Sequence, residues 1–252
     1  LQNHNTKYIS RFDIDDIMPA GRLQNMIHDL EKHPDTDLVT GHVKYISNTS
    51  ISDGYKKYED WINQISQKED WYRQIYRECT IASPNWMMRR NTFTRCGGFE
   101  KLTYPEDYDL VFRWYKHGVS IRSIDMITLH WREHSQRTSR NHEHYQQKAF
   151  FQLKLAHWVN LDYTPDLPIV LLGNNNKAKI TAQFLLQQRL PFKWFVKNIE
   201  KYENTPLDHA IKDVKEINQH LPAQGLITFF DPASNFTREL DKTFAKCPYF
   251  VL

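Results

Sequence analysis

The chain has 252 residues, 40% of them hydrophobic and 25% charged, with 33 basic against 30 acidic side chains and a formal charge of +3. That is enough apolar material for one large or two modest domains, and a charge so evenly balanced gives no reason to expect nucleic-acid binding. Three cysteines, Cys79, Cys96 and Cys247, with no CxxC spacing, suggest neither a disulfide framework nor a zinc site and suit a reducing cytoplasm. No apolar run of about 18 residues marks a membrane span, and the polar opening does not read as a signal peptide.

In chain order, residues 8–12 read as extended, and they follow so closely on a start without methionine that a piece of a longer protein is expected. Leu23, Met26, Ile27 and Leu30 then recur at helical spacing, which places Asp13, Asp15 and Asp16 at the carboxyl end of a strand, ahead of a helix. A second extended stretch covers 37–46 and a polar loop 49–57. Between residues 58 and 76, Trp61, Ile62, Ile65, Trp71, Tyr72, Ile75 and Tyr76 fit one or two amphipathic helices. Pro105, Glu106 and Asp107 look like a helix start and Gly118 like its C-terminal cap.

A strand at 119–124, the segment 128–134 and a helix over about 141–161 follow, with a break at 162–168. Beyond it, short strands at 169–172, 192–196, 226–230 and 249–252 alternate with helical patterns, which predicts a small parallel α/β domain.

Two acidic clusters carry the chemistry. Asp13, Asp15 and Asp16 repel one another unless a cation joins them, and a hard divalent ion prefers such oxygens and commonly bridges them to a diphosphate. The plainer reading is that Asp15 or Asp16 starts the next helix. In the second cluster, Glu106, Asp107 and Asp109, a carboxylate set against an acceptor hydroxyl would serve as general base, whereas the plainer reading is a negatively charged first helical turn.

Read together, the stretch at 8–23, the segment 81–90, Gly97-Gly98-Phe99 and the run at 105–110 resemble, in order and spacing, the DxD region, acceptor-side segment and ED motif of glycosyltransferase family two. The resemblance covers about residues 8–139. It implies an α/β fold: at 1–140 the C-terminal portion of a GT-A domain lacking its nucleotide-binding first half, at 141–166 a helical connector, and at 167–252 a small Rossmann-like domain.

The same resemblance implies inverting transfer of a sugar from a nucleotide-sugar donor to a glycan or lipid-linked acceptor, with manganese or magnesium as cofactor. Asp15 becomes the metal ligand, with Asp13 near the ribose or metal and Asp16 supporting the loop. Asp107 becomes the base and Glu106 its partner. Arg11 and Arg22 are candidates for phosphate charge compensation, beside a purely structural role. Residues 130–134 with Ser139 resemble the family's closing segment, in which Arg132 would pair with phosphate and His134 ligate the metal.

Such an enzyme would work in the cytoplasm, with peripheral membrane association and oligomerisation left open. Trp61, Trp71, Tyr72 and Trp86 are candidates for stacking on sugars or for core packing. In the tail, residues 170–178 resemble the opening of a dinucleotide-binding unit, but Asn174, Asn175 and Asn176 stand where glycines are expected, so an accessory or oligomerisation role competes with ligand binding. The rival readings of the whole are a non-catalytic binding or regulatory protein built from a decayed transferase, and a phosphoryl- or nucleotidyl-transfer enzyme using the same acidic loop.

Overall fold

The computed structural model describes residues 5–48, 50–100, 105–134, 147–197, 199–201, 209–229 and 235–252. Ser139 and the start of the helix expected from residue 141 lie outside them. The chain divides into two units, one comprising 1–75 and 79–146, the other 76–78 and 147–252. The helix expected as a connector belongs to the second.

In the first unit, β1 (Tyr8–Ser10) leads through the acidic loop to α1 (Arg22–Lys32), followed by β2 (Leu38–Ile46), α2 (Asp53–Lys68), β3 (Trp86–Arg89), α3 (Arg90–Arg95), α4 (Glu106–Lys116) and β4 (Ile121–Arg132). The sheet order is β1-β3-β2-β4, with β3 antiparallel to both its neighbours and β2 parallel to β4. Met26 and Leu30, one turn apart on α1, pack on Val39 and Met87 in the core beneath the sheet. A second cluster of Val43, Ile62, Ala82 and Leu129 binds α2 to β2 and β4.

The expected polar loop at 49–57 is helical from Asp53, because Tyr58, Ile62 and Ile65 continue one apolar stripe back through the polar residues. The strand expected at 119–124 runs on to Arg132, so what read as a separate closing segment begins as the end of a sheet strand. Close approach of β2 and β4 requires Gly41: a Cβ there would lie 2.5 Å from Thr128 Oγ1. Around it Thr128 Oγ1 donates to Asn85 Oδ1 (2.7 Å) and Asn85 Nδ2 to Gly41 O (2.8 Å), so the buried amide is satisfied where the ladder shifts register.

The second unit comprises α5 (Gln147–Leu161), β5 (Ile169–Leu172), α6 (Asn176–Gln187), β6 (Phe192–Val196), β7 (Ile211–Asp213), β8 (Gln224–Ile227), α7 (Asn235–Thr243) and β9 (Tyr249–Val251). Its five strands are all parallel, in the order β7-β6-β5-β8-β9. The parallel domain expected from the alternation of strands and helices is thus present, with β7 as an addition. All four residues of β5 are buried, as a central parallel strand covered on both faces requires. Among the described residues no helix is long and apolar enough to cross a membrane.

Candidate functional site

The loop between β1 and α1 is held by backbone before any charged side chain is considered. Asp16 N donates to Asp13 O (3.2 Å), closing a turn. Ile17 then exchanges two 3.1 Å hydrogen bonds with His130 of β4. Gly21, at φ +76°, takes the left-handed turn that admits α1, a conformation costly for any residue with a Cβ. The acidic residues are therefore pinned against the end of β4, which is 114 or more positions away in sequence.

Arg132 reinforces this contact. Its backbone N–H donates to Asp16 Oδ1 (2.8 Å) and its Nε to the carbonyl of Asp15 (2.7 Å). Two residues on, His134 Nε2 stands 2.9 Å from Asp15 Oδ2. Asp13 turns elsewhere, to Arg11, whose Nε lies 3.1 Å from Asp13 Oδ1 while its Nη1 lies 3.1 Å from Glu106 Oε1. One half-buried guanidinium thus joins the two acidic motifs, and it also lies 5.3 Å from the centre of the Phe99 ring.

Arg22 does not face solvent. It is 1% exposed, donates from Nη2 to Pro84 O (2.6 Å) and Arg11 O (3.4 Å), and sits 4.9 Å from the Phe12 ring. Burial pushes its pKa down to about 10. Its place is structural: it ties the start of α1 to the acidic loop and to the segment before β3.

The second motif opens α4, with Pro105 as the residue before the first turn. Its three acids part company. Asp109, 5% exposed, turns inward to Arg113 (Nε to Oδ2 2.8 Å) and serves packing. Glu106 meets Arg11. Asp107 accepts from the backbone N–H of Tyr108 (2.8 Å) and makes no ion pair among the described residues. Burial, followed by the neighbouring Glu106 charge, pushes the Asp107 carboxyl up to about 6, against the pull of the backbone N–H groups and Arg11. It is mostly ionised at neutral pH yet basic enough to take a proton, a poise typical of functional carboxylates.

The donor set can be tested against a divalent ion. Two ligands on adjacent corners of an octahedral magnesium or manganese, with bonds of about 2.1 Å, stand about 3 Å apart. Asp15 Oδ2 and His134 Nε2 have that separation. Among the described residues no three His, Cys, Asp or Glu side chains converge, so an ion here would have two protein ligands and take the rest from diphosphate oxygens and water, a common arrangement for these metals. Asp13 is engaged by Arg11 instead.

Of the residues singled out from sequence, the structure thus gathers Asp13, Arg11 and Glu106 into one group and Asp15, Arg132 and His134 into another, with Asp107 next to Glu106. Sequence reasoning missed the anchoring of Arg132 by Asp16 and the stacking of Phe99 on Arg11. Neither has a local signal, since both depend on strand and helix placement. Trp71 and Trp86 are core residues, 3% and 2% exposed, and the Tyr72 hydroxyl donates to Val119 O (2.7 Å).

Fold and site together define a mixed α/β protein with two acidic motifs joined by an arginine at one sheet end. No protein-family model matches the chain and no curated protein matches it.

Proposed function

We propose that this chain carries the catalytic groups of a nucleotide-sugar glycosyltransferase of the GT-A type, acting by metal-assisted inverting displacement on a glycan or lipid-linked hydroxyl. The observation that carries the reading is the convergence of the two acidic motifs on Arg11, 3.1 Å from each.

In this reading Asp107 takes the proton of the acceptor hydroxyl as that oxygen attacks the anomeric carbon, and the bond from that carbon to the nucleoside diphosphate breaks. Glu106, fixed by Arg11, holds the Asp107 proton affinity up through its charge. Asp15 and His134 would hold the divalent ion, which when bound supplies charge compensation to the departing diphosphate. Arg132 borders the same position and adds a fixed positive charge.

In this reading the second unit is an accessory module. Its sheet is all parallel and the strand order reverses between β5 and β8, the place where an open α/β sheet would take a ligand. At that crevice, however, Asn175 Oδ1 accepts from Ala178 N (3.0 Å) and its Nδ2 donates to Thr228 O (2.7 Å). The side chain occupies the helix N-terminus that a diphosphate would need.

The test is titration of manganese and a panel of nucleoside diphosphates against the full-length protein, with Asp15→Asn and His134→Ala. Metal-dependent nucleotide binding is expected, weakened at least tenfold by either substitution. Binding indifferent to both would refute the metal assignment. Asp107→Asn should leave nucleotide binding intact and abolish transfer, and retained turnover would refute the base.

A further inference from the structure

Among the described residues Phe99 is the most exposed aromatic side chain, at 38%. Its position is nevertheless fixed. It follows the end of α3, where Gly97 N donates to Thr94 O (3.0 Å) and Gly98 N to Phe93 O (3.1 Å). Both glycines stand in the left-handed region, at φ +82° and +63°, a double turn that residues with a Cβ adopt only with strain. A Cβ on Gly98 would also lie 3.0 Å from the Phe93 ring.

This turn lays Phe99 against two core rings, with centres 5.9 Å from Phe93 and 6.3 Å from Trp86. Those two are 4% and 2% exposed. Phe99 is thus anchored on the core while more than a third of its own surface stays open.

A printed chain of contacts joins this ring to both acidic motifs. The Arg11 guanidinium lies 5.3 Å from the ring centre, and the same group holds Asp13 Oδ1 and Glu106 Oε1 at 3.1 Å each. The border is partly open as well, the side chains of Arg11, Asp13 and Glu106 being 28%, 34% and 19% exposed.

An open ring with such a border discriminates among ligands. An aliphatic chain would strip water from three charged groups and return no hydrogen bonds. A nucleoside diphosphate has a base to stack, but its phosphates would meet two carboxylates against one guanidinium. A neutral pyranose satisfies both demands: its C–H face suits the ring, and its hydroxyls can donate to carboxylates and accept from a guanidinium.

We infer that Phe99 is the stacking platform for an uncharged pyranose unit, with Arg11 and Glu106 as its hydrogen-bonding border. As the seat of the acceptor it rests on the transferase reading and narrows the acceptor to a neutral sugar at this position, but the binding is testable without donor, metal or turnover.

The experiment uses the full-length protein with 4-fluorophenylalanine in place of Phe99 and follows its fluorine resonance during titration with soluble oligosaccharides of glucose, N-acetylglucosamine, mannose and galactose. At least one of these is expected to shift the resonance saturably. Affinity for that sugar, measured by ligand-detected NMR, should fall roughly tenfold in Phe99→Leu, which keeps an apolar side chain but loses the ring face, and stay within about threefold in Phe99→Tyr. No oligosaccharide that shifts the resonance, equal affinity in the leucine and tyrosine variants, or a resonance moved by uridine diphosphate and not by any sugar would each overturn the inference. Metal-dependent nucleotide binding without a sugar response at Phe99 would sink this inference and leave the transferase reading, whereas a sugar response in a protein that fails the metal and nucleotide titration would sink the transferase reading and leave the platform standing.

Discussion

Lys154 gives the sharpest expectation about stability. It lies on α5 among Phe151, Leu155 and Trp158 and is 2% exposed. Its Nζ donates to the carbonyls of Tyr76 (3.0 Å) and Arg77 (3.2 Å) and sits 4.2 Å from the centre of the Phe151 ring. Burial, reinforced by the Lys177 charge and opposed by Glu78, pulls its pKa from 10.5 down to about 7. Between these values the unfolded chain binds more protons than the folded one, so stability rises with pH across that window and the full penalty is felt below about 7. At ~1.4 kcal/mol per unit the ceiling is about 5 kcal/mol, of which about 2 kcal/mol falls between pH 7 and 9.

Lys177, also shifted down by burial, adds in the same direction. The perturbation is therefore Lys154→Met, and the measurement is urea unfolding of wild type and variant at pH 7, 8 and 9. The two units need not unfold together, so amide exchange of β5 and β6, corrected for intrinsic rates, reports the second unit alone. The variant should lose about 2 kcal/mol of the pH-dependent gain. Equal pH slopes in the two proteins would refute a charge buried at Lys154.

Further outcomes follow from the site and the sheet. If Asp107 is the base, the rate of transfer rises with pH through about 6, and Arg11→Gln, which removes an opposing positive charge, moves that limb to higher pH in a pH–rate profile. The raised Asp107 pKa also means that stability falls as pH climbs from about 4 to 6. Asp107→Asn should therefore stabilise the protein at pH 7 by roughly 1 to 3 kcal/mol in denaturant unfolding while abolishing activity. Gly41→Ala forces a Cβ to within 2.6 Å of two Thr128 side-chain atoms and should cost about 1 to 3 kcal/mol in the same assay. Gly173→Ala, with φ at +137° and Thr228 Oγ1 2.0 Å away, should do at least as much harm to the second unit.

How far the sequence could be read depended on the range of the interaction. Residues 169–172 and 192–196 were legible as strands because short apolar runs between helical stretches are a local signal. β3 was not: Trp86, Met87 and Met88 are buried without alternation, and only pairing with β1 and β2 makes them a strand. The helical run at 53–57 was hidden by its polar residues, since its first turn has few apolar groups to reveal the stripe. At the site, Asp13, Asp15, Glu106 and Asp107 stood out as acids, yet nothing in their spacing said that Asp13 would meet Arg11 or that Asp15 would meet His134. Asp109 looked equivalent to its neighbours and proved to be a packing residue, because its position on α4 faces Arg113 one turn later.

The sequence by itself determined the α/β class, the parallel tail and the residue types able to do acid–base and metal chemistry, because hydrophobic period and side-chain chemistry are local properties. The tertiary structure decided which acid meets which cation, which tryptophans stay at the surface, and that the asparagine loop closes its own helix end. Those outcomes depend largely on how segments distant in sequence meet, 53 residues apart for Asn175 and Thr228, 95 for Arg11 and Glu106 and 119 for Asp15 and His134, and a shift of one residue along a strand would send each side chain to the opposite face.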